Sequence, residues 1–206
     1  MLTLFHAKST CSLASLITLK EAEIAHEVHI VDLAGKEQTT PAFLAVNPKG
    51  RVPALKTEAG VLTETPAILL YLAQIAPEKG LAPLGDPFAL AELQSFNSYL
   101  CSTVHPVHAH RVRGSRWADE ESSLADMKRR VPGNMAACYG LIEANFFRGP
   151  FVMGERLTIA DPYLFTIDTW LKSDGVDIAD FPRLHEHYRR MLDRPAVQAA
   201  IAVAGG

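Results

Sequence analysis

The order of strand-like and helix-like segments near the N-terminus constrains the fold most. Leu2–Phe5 is a short apolar run suited to a buried strand, Ser12–Glu23 repeats apolar residues at helical spacing, and Glu27–Val31 alternates as strands do. A strand, a helix and a strand in this space predict a right-handed parallel crossover. Pro41–Val46 then predicts a short second helix.

A β-hairpin and a third helix complete this unit. Val52–Thr57 and Val61–Thr63 flank a turn at Glu58–Gly60 and are predicted to pair. Thr65 is predicted as the N-cap of the next helix, with Pro66 at its first helical position. The resulting order, βαβαββα, indicates an α/β domain.

The remainder of the chain is predicted to be helical. Pro77–Pro87 contains three prolines and two glycines, which favour a linker. We therefore expect an α/β domain over residues 1–77, a linker over 78–88 and an all-α domain over 89–206. The segments that favour helices are Ala89–His110, Glu120–Phe146, Thr158–Lys172, Arg183–Leu192 and Ala196–Val203.

The charge and cysteine content exclude several classes of function. A net charge of -3 over 206 residues gives no reason to expect nucleic acid or an anionic membrane as a partner. The three cysteines, Cys11, Cys101 and Cys138, form neither a disulfide framework nor a metal-binding motif. The N-terminus lacks the apolar core of a signal peptide, and no apolar run is long enough to cross a bilayer. We expect a cytoplasmic protein.

The segment Asn47–Leu55 is the strongest local motif. Because Pro53 has no N–H, it is suited to the first residue of a strand or to an edge. A cis Val52–Pro53 bond would turn the Val52 N–H and C=O outward, where they could pair with an extended peptide. Only about 5% of such bonds in folded proteins are cis, so the residues alone favour trans.

The second motif, Thr63–Leu70, begins the third helix. An open helix N-terminus binds a carboxylate, and Glu64 beside it could accept hydrogen bonds from an ammonium group. Together they fit the α-amino acid end of a ligand. A well-capped helix without a ligand is the alternative.

The third motif, Ser9–Ser12, precedes the first helix. A helix N-terminus stabilises a thiolate, so the pKa of Cys11 is predicted to fall. Ser9, Thr10 and Ser12 supply hydroxyl groups that could donate to a sulfur anion. Burial as a small hydrophobic residue is the alternative for Cys11, and it is our expectation for Cys101 and Cys138.

A cluster of histidine and arginine residues lies within the helical half. The spacing of His105, His108 and His110 does not place all three rings on one helical face, so we expect no metal site. Three arginines follow, at 111, 113 and 116. The cluster fits either an acidic ligand or a solvated face.

These segments together resemble the cytosolic glutathione transferase family, and most closely its bacterial beta class. The resemblance covers nearly the whole chain. The motifs that carry it are Cys11-Ser-Leu-Ala14, Asn47-Pro-Lys-Gly50, Val52-Pro-Ala-Leu55, Leu62-Thr-Glu-Thr65, Thr158-Ile-Ala-Asp161 and Tyr163-Leu-Phe-Thr166. It implies the GST fold, in which a thioredoxin-like glutathione-binding domain precedes the all-helical domain. It also implies a cis Val52–Pro53 bond and a homodimer.

The resemblance and the local motifs together give a set of site residues, with glutathione as co-substrate and no metal. The candidate catalytic residues near the glutathione sulfur are Cys11, Ser9, Ser12 and His105. The candidate glutathione-binding residues are Lys36, Arg51, Val52, Pro53, Glu64, Thr65 and Asn97. Lys36 or a neighbouring cation would bind the glycyl carboxylate, and Asn97 would reach the glutathione of the partner subunit.

Three departures from the family pattern lie around the sulfur. His6 replaces a tyrosine common among relatives, Ala7-Lys8 replaces a Pro-Gly turn, and Pro106 replaces a lysine and would bend or end its helix. We expect conjugation of glutathione to small hydrophobic electrophiles. Thiol–disulfide exchange or peroxidase activity through Cys11, a non-catalytic binding module, and isomerisation or ether cleavage are the alternatives.

Overall fold

The computed structural model describes residues 1–205, and the side chains of residues 1–203. The four strands of this part of the chain form one sheet in the order β2-β1-β3-β4. Their bounds are β1 Leu2–His6, β2 His26–Ile30, β3 Ala54–Thr57 and β4 Gly60–Thr63. β2 pairs with β1 in parallel, whereas β1–β3 and β3–β4 are antiparallel.

Three helices accompany the sheet, and they confirm the order βαβαββα. They are α1 Ser12–Glu21, α2 Pro41–Val46 and α3 Thr65–Ile75. β3 begins directly after Pro53, as expected for a residue that cannot donate to the ladder. The hairpin turns between Thr57 and Gly60, where the Thr57 hydroxyl donates to the Gly60 carbonyl at 2.9 Å.

Six further helices follow, and the fold is the expected combination of a sheet domain and a helical one. They are α4 Pro87–Tyr99, α5 His105–Arg113, α6 Glu121–Leu141, α7 Ala160–Asp168, α8 Pro182–Leu192 and α9 Pro195–Gly205. None of the helices within residues 1–205 is both long and apolar enough to cross a membrane. The exact domain boundaries stay a prediction, since Leu81 and Ala82 of the expected linker are buried in the helical core.

The long helical segment around Pro106 is widened rather than ended. A π-helical turn, Leu100–Val104, joins α4 to α5. Proline removes one backbone donor and its ring collides with the carbonyl four residues earlier, which here belongs to Ser102 in the π turn. The wider turn accommodates the ring, and the chain stays helical to Arg113.

The two halves share an apolar core around α1. Leu16 and Ile17 of α1 pack in one cluster with Leu4 and Leu55 from the sheet. The same cluster includes Phe165, Met191 and Val197 from the later helices. The helical half is therefore packed directly against the sheet domain.

Asp161 of α7 is the polar centre of the helical half. Its side chain is fully buried and accepts hydrogen bonds from the backbone N–H groups of Val152 and Thr158, both at 2.7 Å. The ring of His187 lies 3.0 Å away on its other side. The carboxylate therefore ties α7 to α8 and to the segment before α7.

Replacing this carboxylate should destabilise the protein strongly. We expect Asp161→Ala to lower the free energy of unfolding by about 3 kcal/mol, because two buried N–H groups lose their acceptor. Urea unfolding followed by circular dichroism measures the change. Asp119→Ala, at an exposed position, is the control and should change stability by less than about 0.5 kcal/mol. Equal stability of the two variants would contradict the role given to Asp161.

Candidate active site

A cleft with a volume of about 470 Å³ lies between the sheet domain and the helical half. It brings together eight of the eleven predicted site residues, namely Ser9, Cys11, Arg51, Val52, Pro53, Glu64, Thr65 and His105. Ser12, Lys36 and Asn97 do not line it.

Val52 is one of the residues that line this cleft. The Val52–Pro53 bond is cis, so the trans bond favoured by the residues alone is wrong and the implication of the resemblance is confirmed. The Asn47 side chain donates to the Arg51 carbonyl at 2.7 Å and fixes the turn that precedes Val52. Within the described residues the Val52 N–H has no hydrogen-bond partner, and its C=O accepts from the Cys11 thiol at 3.5 Å.

The N-terminus of α3 forms the neighbouring wall. The helix begins at Thr65, so Glu64 holds the cap position with φ +72°, and the predicted N-cap at Thr65 is wrong by one residue. No side chain caps this end, which leaves the first N–H groups of α3 open to the cleft. The Glu64 carboxylate pairs with the ammonium group of Lys49. The site therefore offers both an anion-binding helix end and a carboxylate.

Cys11 lies at the start of α1, but its pKa moves opposite to the prediction. Burial raises the pKa of the Cys11 thiol, and the opposing effects of the Thr65 side chain and the Arg113 charge are smaller. The sequence motif shows the helix N-terminus but not the loss of solvent around the sulfur. The protonated thiol, donating to Val52, is the form that this environment favours.

Ser12 belongs to the interior rather than to the cleft. Its fully buried hydroxyl lies 2.7 Å from His6 Nδ1 and 2.6 Å from the Thr10 hydroxyl, and it accepts from the Ala7 N–H. Its predicted role as a donor to a ligand sulfur is therefore wrong. His6 is equally buried, and burial lowers its pKa. Ser9 lines the cleft, in the left-handed region at φ +59°.

Lys36 and Asn97 are also placed away from the expected contacts. Lys36 is an exposed residue before the short 3₁₀ turn Glu37–Thr39. The Asn97 side chain is fully buried on α4, and its amide has no hydrogen-bond partner in the described part of the chain. A buried side chain cannot extend to a second subunit, so the prediction for Asn97 is wrong in this geometry.

His105 forms part of the helical wall, where it is neutral. Burial, with additional repulsion from His108 and from arginines, lowers the pKa of His105 to about 4. Its ring centroid lies 5.0 Å from that of Trp170, which stacks on His108. No group of three or more His, Cys, Asp or Glu side chains within the described residues could hold a metal ion.

Two further residues of the helical wall were missed by the sequence reasoning. Cys101 is exposed and lines the cleft, so its predicted burial is wrong, whereas Cys138 is buried as predicted. Cys101 lies four residues before His105, a spacing that places two side chains on the same helical face, and this was the signal that could have found it. Tyr163 of α7 also lines the cleft, and burial raises its pKa, which keeps the phenol protonated.

The family models that match describe the two halves of the chain. A glutathione S-transferase N-terminal domain matches residues 8–75, and a glutathione S-transferase C-terminal domain matches residues 108–202. The chain belongs to the glutathione S-transferase family.

Individual family members support this assignment over nearly their whole length. The chain is 31% identical to glutathione S-transferase GstA of Escherichia coli O157:H7, with 98% of each chain covered. A glutathione transferase homologue from Sulfitobacter, crystallised with bound glutathione, is 48% identical with a TM-score of 0.95, covering 100% of this chain and 98% of that one. A bacterial beta class enzyme from Sphingomonas chungbukensis is 32% identical with a TM-score of 0.86 and 98% coverage of both chains.

The lowered pKa of His105 predicts a pH dependence of stability. Below pH 6.5 the unfolded chain takes up a proton that the folded chain resists until about pH 4, so stability is full above this window and falls as the pH drops through it. When the pH is lowered from 7 to 5, the free energy of unfolding of His105→Gln should fall by about 1–2 kcal/mol less than that of the unaltered protein.

Urea unfolding at the two pH values measures the difference. His185→Gln, on α8 and outside the cleft, is the matched control and should keep the pH dependence of the parent. An unchanged loss of stability in His105→Gln would show that this histidine is solvated.

Proposed function

We propose that the cleft binds glutathione in an extended conformation and transfers its thiolate to an electrophile. Val52 lines the cleft beside the open end of α3, and its N–H has no partner among residues 1–205; this observation carries the proposal. A backbone donor and acceptor at one residue can pair with an extended peptide as an added strand does. Glutathione in the Sulfitobacter structure and the family membership support the same ligand.

The charged ends of glutathione fit groups on opposite sides of Val52. The γ-glutamyl carboxylate would receive hydrogen bonds from the N-terminus of α3, and its ammonium group would lie against Glu64 in place of Lys49. Arg51 lines the cleft and is the neighbouring cation for the glycyl carboxylate, since Lys36 does not line it. This arrangement pairs each ligand charge with an opposite charge or a helix end.

The sulfur of the bound tripeptide would lie near Cys11 and Ser9. Pairing of glutathione with the Val52 carbonyl would free the Cys11 thiol, which could then donate to the glutathione sulfur. Hydrogen bonds to a thiolate lower its pKa, and each unit is worth about 1.4 kcal/mol. The raised pKa of Cys11 suits it to donate a hydrogen bond rather than to act as a nucleophile.

We further propose a cytoplasmic homodimer. Large apolar side chains are exposed on both halves of the molecule, among them Phe88 at 75% and Ile75 at 44%. Sedimentation of the purified protein at micromolar concentration measures its mass, and a monomer would contradict the dimer without affecting the glutathione site.

Removing the Cys11 thiol should separate the two candidate chemistries. We expect Cys11→Ala to keep conjugation within about 10-fold, because the thiol supplies at most one weak hydrogen bond. Any mixed disulfide that residue 11 forms by exchange with added oxidised glutathione, which releases one glutathione thiolate, should disappear. Conjugation is followed with 1-chloro-2,4-dinitrobenzene, and the disulfide by mass spectrometry.

Cys101→Ala is the matched control, since it removes the other cysteine of the cleft. It should retain both the conjugation and the disulfide at residue 11. Loss of conjugation in Cys11→Ala alone, by a factor of a thousand or more, would make the Cys11 thiol essential and contradict the donor role.

Calorimetry of glutathione binding tests the proposal itself. Glu64→Gln should weaken binding by about 10-fold, because one charge-assisted hydrogen bond to the ammonium group becomes neutral. Glu58→Gln, in the exposed hairpin turn, is the control and should bind as the parent does. If the unaltered protein releases or absorbs no heat with millimolar glutathione, the proposed function is wrong.

A further inference from the structure

Three arginines in the cleft have no counter-charge. Arg51, Arg113 and Arg116 line it, and none of their guanidinium groups makes a salt bridge or hydrogen bond within the part of the chain that the structure describes. The acidic side chain that lines the cleft, Glu64, already pairs with Lys49. Unpaired cations close together repel one another and favour an anion between them.

The pKa of Arg116 reflects the repulsion among these arginines. Burial lowers the pKa of Arg116, and the charges of Arg51 and Arg113 lower it further. Arg111, although next in sequence, is different because its Nε donates to the buried carboxylate of Asp174 at 3.0 Å. Arg111 is therefore a structural residue, while Arg113 and Arg116 keep their donors for a ligand.

Glutathione accounts for only part of this positive charge. Its two carboxylates fit the N-terminus of α3 and Arg51, both of which belong to the sheet-domain wall of the cleft. Arg113 and Arg116 lie at the end of α5 and in the turn after it, on the helical wall. Their charges nevertheless act on the Cys11 sulfur, which places them within electrostatic reach of the reacting end of the cleft.

The rest of the helical wall is suited to a planar organic group. Trp117, which is half exposed, lines the cleft, and Trp170 also lines it but is buried. His108 stacks on Trp170 with ring centroids 4.3 Å apart, and its Nδ1 is held 2.8 Å from Asp174 Oδ2. The exposed ring of Trp117 beside free guanidinium groups matches an unsaturated or aromatic body that carries an acid group.

We propose, on the basis of the function above, that the second substrate is an electrophile bearing a carboxylate, held by Arg113 and Arg116. The carboxylate accepts hydrogen bonds from the two guanidinium groups while the planar body packs against Trp117. This orientation presents the electrophilic carbon to the glutathione sulfur. The expected substrate is therefore more polar than the small hydrophobic electrophiles predicted from the sequence.

A matched pair of probes tests the carboxylate. 4-Chloro-3-nitrobenzoate and 4-chloro-3-nitrobenzamide both react by substitution, in which the glutathione thiolate forms the S–C bond and chloride leaves with the bonding electrons. Each kcat/KM is divided by the uncatalysed rate constant for the same probe. After this correction, the unaltered protein should favour the benzoate over the benzamide by about 10-fold or more.

The double variant Arg113→Gln/Arg116→Gln should lose this preference. Its kcat/KM should fall by about 10- to 100-fold for the benzoate and by less than about 3-fold for the benzamide. Arg113→Lys/Arg116→Lys should restore part of the benzoate activity, since the charge returns without the planar fork. Arg130→Gln, an exposed residue of α6 outside the cleft, is the control and should behave as the parent.

Three results would overturn the inference. They are a corrected preference for the benzamide, an equal loss with both probes, and a weakened glutathione Kd in the double variant. The last would assign these arginines to glutathione.

Binding of the benzoate without glutathione, followed by tryptophan fluorescence, separates this inference from the proposed function. If the protein binds no glutathione but loses benzoate affinity in the double variant, the anion site stands and the transferase function falls. If the protein binds glutathione but the double variant keeps its benzoate affinity, the proposed glutathione site stands and the anion site falls.

Discussion

The enclosure of α1 is the constraint on which the rest of the structure depends. Every residue from Ser12 to Leu19 is buried, because the sheet lies on one side of the helix and the helices of the second half lie on the other. Burying Ser12 requires hydrogen bonds, and His6 and Thr10 supply them. This network fixes the start of α1, and with it the position of Cys11 opposite Val52.

The alternation of strand and helix periods was sufficient to predict the sheet domain, since hydrophobic spacing is a local property of the chain. The errors arose where burial by distant segments decides the outcome. Ser12 was assigned to the ligand because the motif does not show that His6 closes over it. The pKa of Cys11 was predicted to fall because a helix end is readable in sequence, whereas the loss of water around the sulfur is not. Asn97 is buried and Cys101 is exposed, the reverse of the expectation, and Cys101 lies in a π-helical turn that no periodic pattern predicts.

The net charge of the chain does not predict the positive charge of the cleft. A net charge of -3 describes a mildly acidic protein, yet one surface gathers three guanidinium groups without a partner. Other arginines in the described residues have acidic partners, as in Arg148–Glu92 and Arg194–Glu21. An isolated cationic group inside a concave, partly dry site acts over a longer distance than one on an open surface. Function therefore depends on which charges lack partners rather than on their sum.

The hydrogen bond between Cys11 and Val52 connects substrate binding to activation of the sulfur. While the thiol donates to the Val52 carbonyl, the carbonyl favours the protonated form, in agreement with the raised pKa. A peptide N–H of glutathione is a stronger donor to that carbonyl than a thiol is, so binding would displace the Cys11 proton. The strongest acceptor then within reach is the incoming thiolate. In this arrangement the cysteine donates a hydrogen bond because its own ionisation is disfavoured.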